Sequence, residues 1–86
     1  MKGKVRKRDE EIPVTELNRG ERGIIVKAGE NDLERRKLFA LGILPGEIIT
    51  LEEKYPVILL GSGYTLAALD EGVAKNIYVR RQSFRR

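Results

Sequence analysis

Arg35, Arg36 and Lys37 follow one another without interruption, and these three cations are the groups in the chain best suited to gripping a partner carboxylate. An arginine does so through a planar fork of donors that matches two oxygens at once. On a helix, neighbouring residues project about 100° apart, so the three cannot all serve one ligand. Ser62, between Gly61 and Gly63, looks at first like a nucleophile on a sharp turn. That chemistry needs a strand-to-helix turn and a histidine base, and the chain has neither histidine nor cysteine. Thiol catalysis, imidazole acid–base work, zinc fingers and disulfide scaffolds are excluded with them. Glu52-Glu53 and Asp70-Glu71 are paired carboxylates. Strand neighbours point to opposite faces, however, so Glu52 and Glu53 cannot easily share an ion. Transition metals favour imidazole or thiolate, and no cofactor is evident. The reading is of a binding module, not an enzyme.

The net charge of +4 is concentrated at the two ends of the chain. Lys2, Lys4, Arg6, Lys7 and Arg8 crowd the start, and Arg80, Arg81, Arg85 and Arg86 the end, whereas the stretch between them holds a slight excess of acids. A nucleic-acid reader needs cations on a folded face and aromatic platforms for bases. Here the folded body is acidic, there is no tryptophan, and no nucleic acid is expected. The tails read either as solvated termini or as segments touching anionic lipid headgroups. Apolar runs stop at four residues, Val57 to Leu60 and Leu66 to Leu69, far short of the roughly 20 a membrane span requires. The expected location is the cytoplasm, at the inner face of the membrane if the tails bind lipid.

Holding these groups in place falls to a few short elements. Residues 1–11 show no apolar periodicity and read as a disordered basic tail, with 81–86 as a second. Between them, 12–80 reads as one domain. Ile12-Pro13-Val14 is extended, Thr15 can cap a turn over Glu16 and Leu17, and Asn18-Arg19-Gly20 reverses the chain. Strands are expected over 23–28, 47–52, 57–60, 64–69 and 76–79, from β-branched content and glycine boundaries. Gly61-Ser62-Gly63 is the expected reversal of the hairpin, and 70–75 a single helical turn. Asn31 with Glu34 forms a capping-box pattern that opens a helix over about 32–41. Leu38 and Leu41 form its inward face, with Leu33 and the edge of Phe39 nearby. Gly42 is its left-handed cap, Ile43 folds back, and Pro45-Gly46 makes a type II turn. Five short strands with an inserted helix predict an all-β fold, a small closed antiparallel barrel.

The segment from Arg36 through Leu38, Leu41, Gly42, Pro45 and Gly46 resembles the RxLxxLGhxPG signature of FeoA-like domains, where h is apolar. Val14 to Gly23 is similar to that family's LSELxxGxxG opening, and Ala68-Leu69, Ala74, Ile77 and Val79 to its ALxxxxAxxIxV close. The resemblance implies an SH3-like barrel related to the C-terminal domain of metal-dependent repressors of the diphtheria-toxin-repressor type. It implies an accessory part in ferrous-iron transport, docked on the cytoplasmic part of a FeoB-type membrane GTPase, with metal as context only. The rival reading is a free-standing SH3-like regulatory module that binds a protein or nucleic acid unrelated to iron. Leu38, Leu41, Gly42, Pro45 and Gly46 have structural duties in the helix and its turn. Arg35, Arg36 and Lys37 are left as candidate partner contacts, with the hairpin loop of Gly61, Ser62 and Tyr64 as the other candidate surface. Tyr55, Tyr64 and Tyr78 make a poor groove for proline-rich peptides.

Overall fold

A computed structural model describes residues 10–63 and 65–82. The basic stretch Lys2 to Arg8, Tyr64 and the Arg85-Arg86 pair lie outside these residues. The elements in chain order are β1 (Glu11–Pro13), a 3-10 turn (Val14–Glu16), β2 (Arg22–Ala28), α1 (Asp32–Ala40), β3 (Ile48–Glu53), β4 (Ile58–Ser62), β5 (Thr65–Leu69), α2 (Glu71–Ala74) and β6 (Ile77–Arg81). Six strands therefore stand where five were expected. The extra one, β1, is only three residues long, and its Pro13 can occupy a sheet margin because no ladder N–H is needed there.

All strand pairs are antiparallel, in the order β1-β6-β2-β3-β4-β5. Ile12 from the first margin and Ala67 and Leu69 from the last belong to one buried cluster with Ile25, Ile49, Leu60 and Val79. A flat sheet of six strands at about 4.8 Å spacing could not bring its two margins into one core, so the sheet curls around it. Register shifts between Ile25 and Lys27 in β2 and between Leu51 and Glu53 in β3 supply the bends. Among the described residues no polar or charged residue is buried. Each fully buried leucine or isoleucine contributes about 1.5–3 kcal/mol.

Both ends of the domain are held more tightly than the sequence suggests. Glu11, expected in a disordered tail, pairs with Arg80 at 3.1 Å across the β1–β6 ladder. Arg81, expected in the other tail, donates from Nε to Glu21 at 2.7 Å and from its fork to the Glu16 carbonyl at 3.2 Å. Thr15 is not the cap of the first turn: Pro13 takes that place, with no side-chain bond. Leu17 is fully buried, as expected. The Asn18 turn closes through the Glu21 N–H to the Asn18 carbonyl at 2.9 Å.

A candidate docking groove

Helix α1 begins as its capping pattern predicts. The Asn31 side chain accepts the Glu34 N–H at 2.9 Å. Glu34 answers one residue earlier than a capping box does, accepting the Glu30 N–H at 2.8 Å. The same Glu34 oxygen accepts from the Asn76 side chain at 3.2 Å, which ties the helix start to the approach of β6. At the other end Gly42 has φ +85°, its N–H reaches the Phe39 carbonyl, and the Ile43 N–H reaches the Leu38 carbonyl, both at 2.9 Å. This is a Schellman ending, with Ile43 folded into the core. Gly46 has φ +95° behind Pro45, as a type II turn requires. The Gly46 N–H donates to the Ile25 carbonyl at 2.8 Å, and the Ile25 N–H to the Glu47 carbonyl at 2.9 Å, so the turn is fastened to β2.

Only Leu38 of the helix is buried. Leu41, expected beside it in the core, is 39% exposed, and Leu33 and Phe39 are each 64% exposed. Leu41 is the C-cap residue, where the backbone leaves helical geometry, and its side chain leaves the inward face with it. It lies with Leu33 and Lys37 in a depression completed by Leu69 and Val73.

On the other flank, Asp32, Arg35, Arg36 and Phe39 form one stripe at i, i+3, i+4 and i+7. It faces the bulged part of β2, at Val26 and Lys27, and the Leu44-Pro45 turn. The groove between them holds about 540 Å³ and is lined mostly by apolar side chains, with Lys27, Arg35 and Arg36 as its cations and Asp32 as its one carboxylate. Lys27 Nζ lies 6.0 Å from the centroid of the Tyr78 ring, the outer limit of cation–π attraction. Arg35 pairs with Asp32 and closes down on Gly29, where a Cβ would come within 2.8 Å of the Arg35 backbone nitrogen and Cγ. Arg36 has no ion-pair partner among the described residues.

The predicted contact residues thus divide. Arg35 and Arg36 share the groove, Lys37 lies on the opposite flank, and Gly61 lies on the β4–β5 hairpin. Ser62 is the last residue of β4, paired with Thr65, so the strand runs two residues further than expected. Glu52 and Glu53 are separated as strand neighbours should be: Glu53 pairs with Arg19 at 3.4 Å, while the Glu52 carboxylate lies over Gly61. Among the described residues no three acidic side chains gather as a metal site, and no helix is long and apolar enough to cross a membrane.

The sequence profile of the FeoA domain matches residues 12–81. The chain belongs to the FeoA domain family. Solved FeoA structures superpose on it closely. The crystal structure of an iron uptake regulatory protein (FeoA) is 29% identical, with TM-score 0.78, covering 85% of this chain and 99% of that one. An FeoA-like protein from Clostridium acetobutylicum is 24% identical, with TM-score 0.75, covering 90% of this chain and 93% of that one. T. acidophilum IdeR shares the fold at 19% identity and TM-score 0.76, with 84% of this chain matching 34% of that one. A comparison with curated protein sequences finds no match. The family signature and the groove overlap: Leu38, Gly42 and Gly46 build the FeoA helix and turn, while Arg36 and Pro45 of the same segment line the groove. Sequence reasoning missed Phe39, Val26 and Leu44 as groove residues. The 32, 35, 36, 39 spacing was a usable signal, but the β2 wall across from it was not.

Proposed function

We propose that this chain is a non-enzymatic accessory module of ferrous-iron uptake that docks on the cytoplasmic part of a FeoB-type GTPase transporter through the groove of Arg36 and Phe39. Family membership supports the iron-uptake setting. The observation that carries the docking surface is the stripe itself: an aromatic ring left 64% exposed beside an arginine unpaired among the described residues. An arginine next to an exposed aromatic is the composition of an interface centre. A partner that seats an apolar side chain against Phe39, Leu44 and Pro45 and brings a carboxylate to Arg36 removes both from water together. Arg35 is the weaker candidate, because Asp32 and Gly29 already occupy it.

Docking alters the transporter's conformational balance only if affinity differs between its states. Calorimetry of the full chain against the transporter's cytoplasmic domain, loaded with GDP or with a GTP analogue, tests both points. Phe39→Ala and Arg36→Ala should each weaken binding by about 1–3 kcal/mol while leaving the melt unchanged. Absence of binding in both nucleotide states ends this reading, and binding indifferent to both variants moves the surface elsewhere.

A further inference from the structure

The two margins of the sheet are built differently. At β1 the margin is three residues long and carries Glu11 and Pro13, both of which discourage further pairing. At β5 it is Thr65-Leu66-Ala67-Ala68-Leu69, with no charge and no proline. Ser62 and Thr65 are register partners with two residues between them in sequence, the spacing at which the closing pair of a hairpin is the hydrogen-bonded one. Pairs alternate from there, so Leu66 and Ala68 turn their N–H and C=O groups away from β4 toward the open side. No backbone or side-chain partner meets them there among the described residues. Leu66 is 61% exposed as well.

The surroundings of this strand select what can pair with it. On the outer face of the hairpin, the Glu52 carboxylate lies over Gly61, where a Cβ would come within 2.7 Å of its oxygen. Glu52 has no ion-pair partner among the described residues, and it shares a depression with Leu59 and Leu66. At the far end of β5, Asp70 and Glu71 flank Ala68 and Leu69, with Lys54 the one cation lining either depression. Leu69 also lines the apolar depression of Leu33, Leu41 and Val73. Open backbone groups, with the Glu52 carboxylate beside Leu59 and Leu66 on the outer face and the apolar depression of Leu69 beyond it, complement a strand whose residues alternate between cationic and apolar.

We propose that the free edge of β5 accepts an extended segment of another protein, in which Lys or Arg alternates with apolar residues, as an added strand. Backbone hydrogen bonds to Leu66 and Ala68 supply the attachment, and the alternation supplies the choice of partner. The aliphatic stems of the lysines cover Leu66 while their ammonium groups reach Glu52 and Asp70. This surface is separate from the groove of Arg36 and Phe39 and does not depend on it.

A capped heptapeptide of alternating Lys and Val, titrated into the ¹⁵N-labelled full chain, tests the inference. The Leu66 and Ala68 amides should shift and their hydrogen exchange should slow. Ala68→Pro removes an outward N–H, and the residue before it, Ala67, is already extended as proline demands. That variant should keep its melt and lose about tenfold or more in affinity. Leu66→Lys, at an exposed position, provides a second variant with the same expected loss. Three results overturn the proposal: shifts confined to α1, equal binding by a capped heptapeptide of alternating Glu and Val, or the same amides shifting with protein concentration before any peptide is added, which would make the edge a self-pairing surface.

Discussion

Leu38 and Phe39 are adjacent in the chain and opposite in exposure, the first 1% and the second 64% accessible. The core side of α1 is a single leucine held by caps at both helix ends. The groove side is a stripe whose charged and aromatic members are left to solvent. A helix of nine residues that buries one side chain is not positioned by packing alone. Its placement depends on what happens at its termini: Asn31 and Glu34 before it, Gly42 and Ile43 after it. The outward side is therefore free to vary in composition without cost to the fold.

The sharpest test of that division is Leu38→Ala, which should cost about 2–5 kcal/mol, a large share of a small domain's stability, in urea denaturation. Gly42→Val follows at about 1–3 kcal/mol, because a β-branched residue is strained at φ +85° and the Schellman bonds loosen. An unshifted midpoint would show that the helix does not rely on this ending. Asn31→Ala leaves the Glu34 N–H without its acceptor and should cost about 1 kcal/mol. A smaller, pH-dependent contribution comes from Glu21, outside the helix. Partial burial pushes its carboxyl up, but the Asn18 N–H and the Arg81 guanidinium outweigh that and hold it below the ordinary carboxylate range. A lowered folded-state value contributes stability above the unfolded pKa that is lost as pH falls through the folded one. Melts across the acid range should thus fall less steeply in Glu21→Gln than in the parent. Phe39→Ala and Arg36→Ala complete the contrast, shifting stability by no more than about 0.5 kcal/mol; a large loss of stability in either would make the groove side structural too.

Most of the strands could be read from β-branched runs between glycines, and both helix ends from Asn31, Glu34 and Gly42, because these signals are local. Three features escaped for physical reasons. The β1 strand is too short to carry a period, and its pairing depends on β6, far along the chain. Leu41 fits a helical stripe by spacing, yet at the C-cap the backbone has already turned. The groove itself is made by a helix, a bulge and a turn that come together only through the Gly46 and Ile25 backbone bonds. Arg35 and Arg36 were legible as candidates from residue type alone. That Phe39 accompanies them, and Lys37 does not, required the opposite wall.

The place of β6 has a consequence for how the chain is made. The last strand in sequence is the second in the sheet, seated between β1 and β2, so it supplies the ladder for both. During synthesis, β2 through β5 can meet their neighbours in order, but β1 has no pairing partner until residues near Arg81 leave the ribosome. Arrival of β6 therefore joins the two ends of the domain, and a nascent chain halted before Ile77 would expose one side of β2 to chaperones or to other nascent chains.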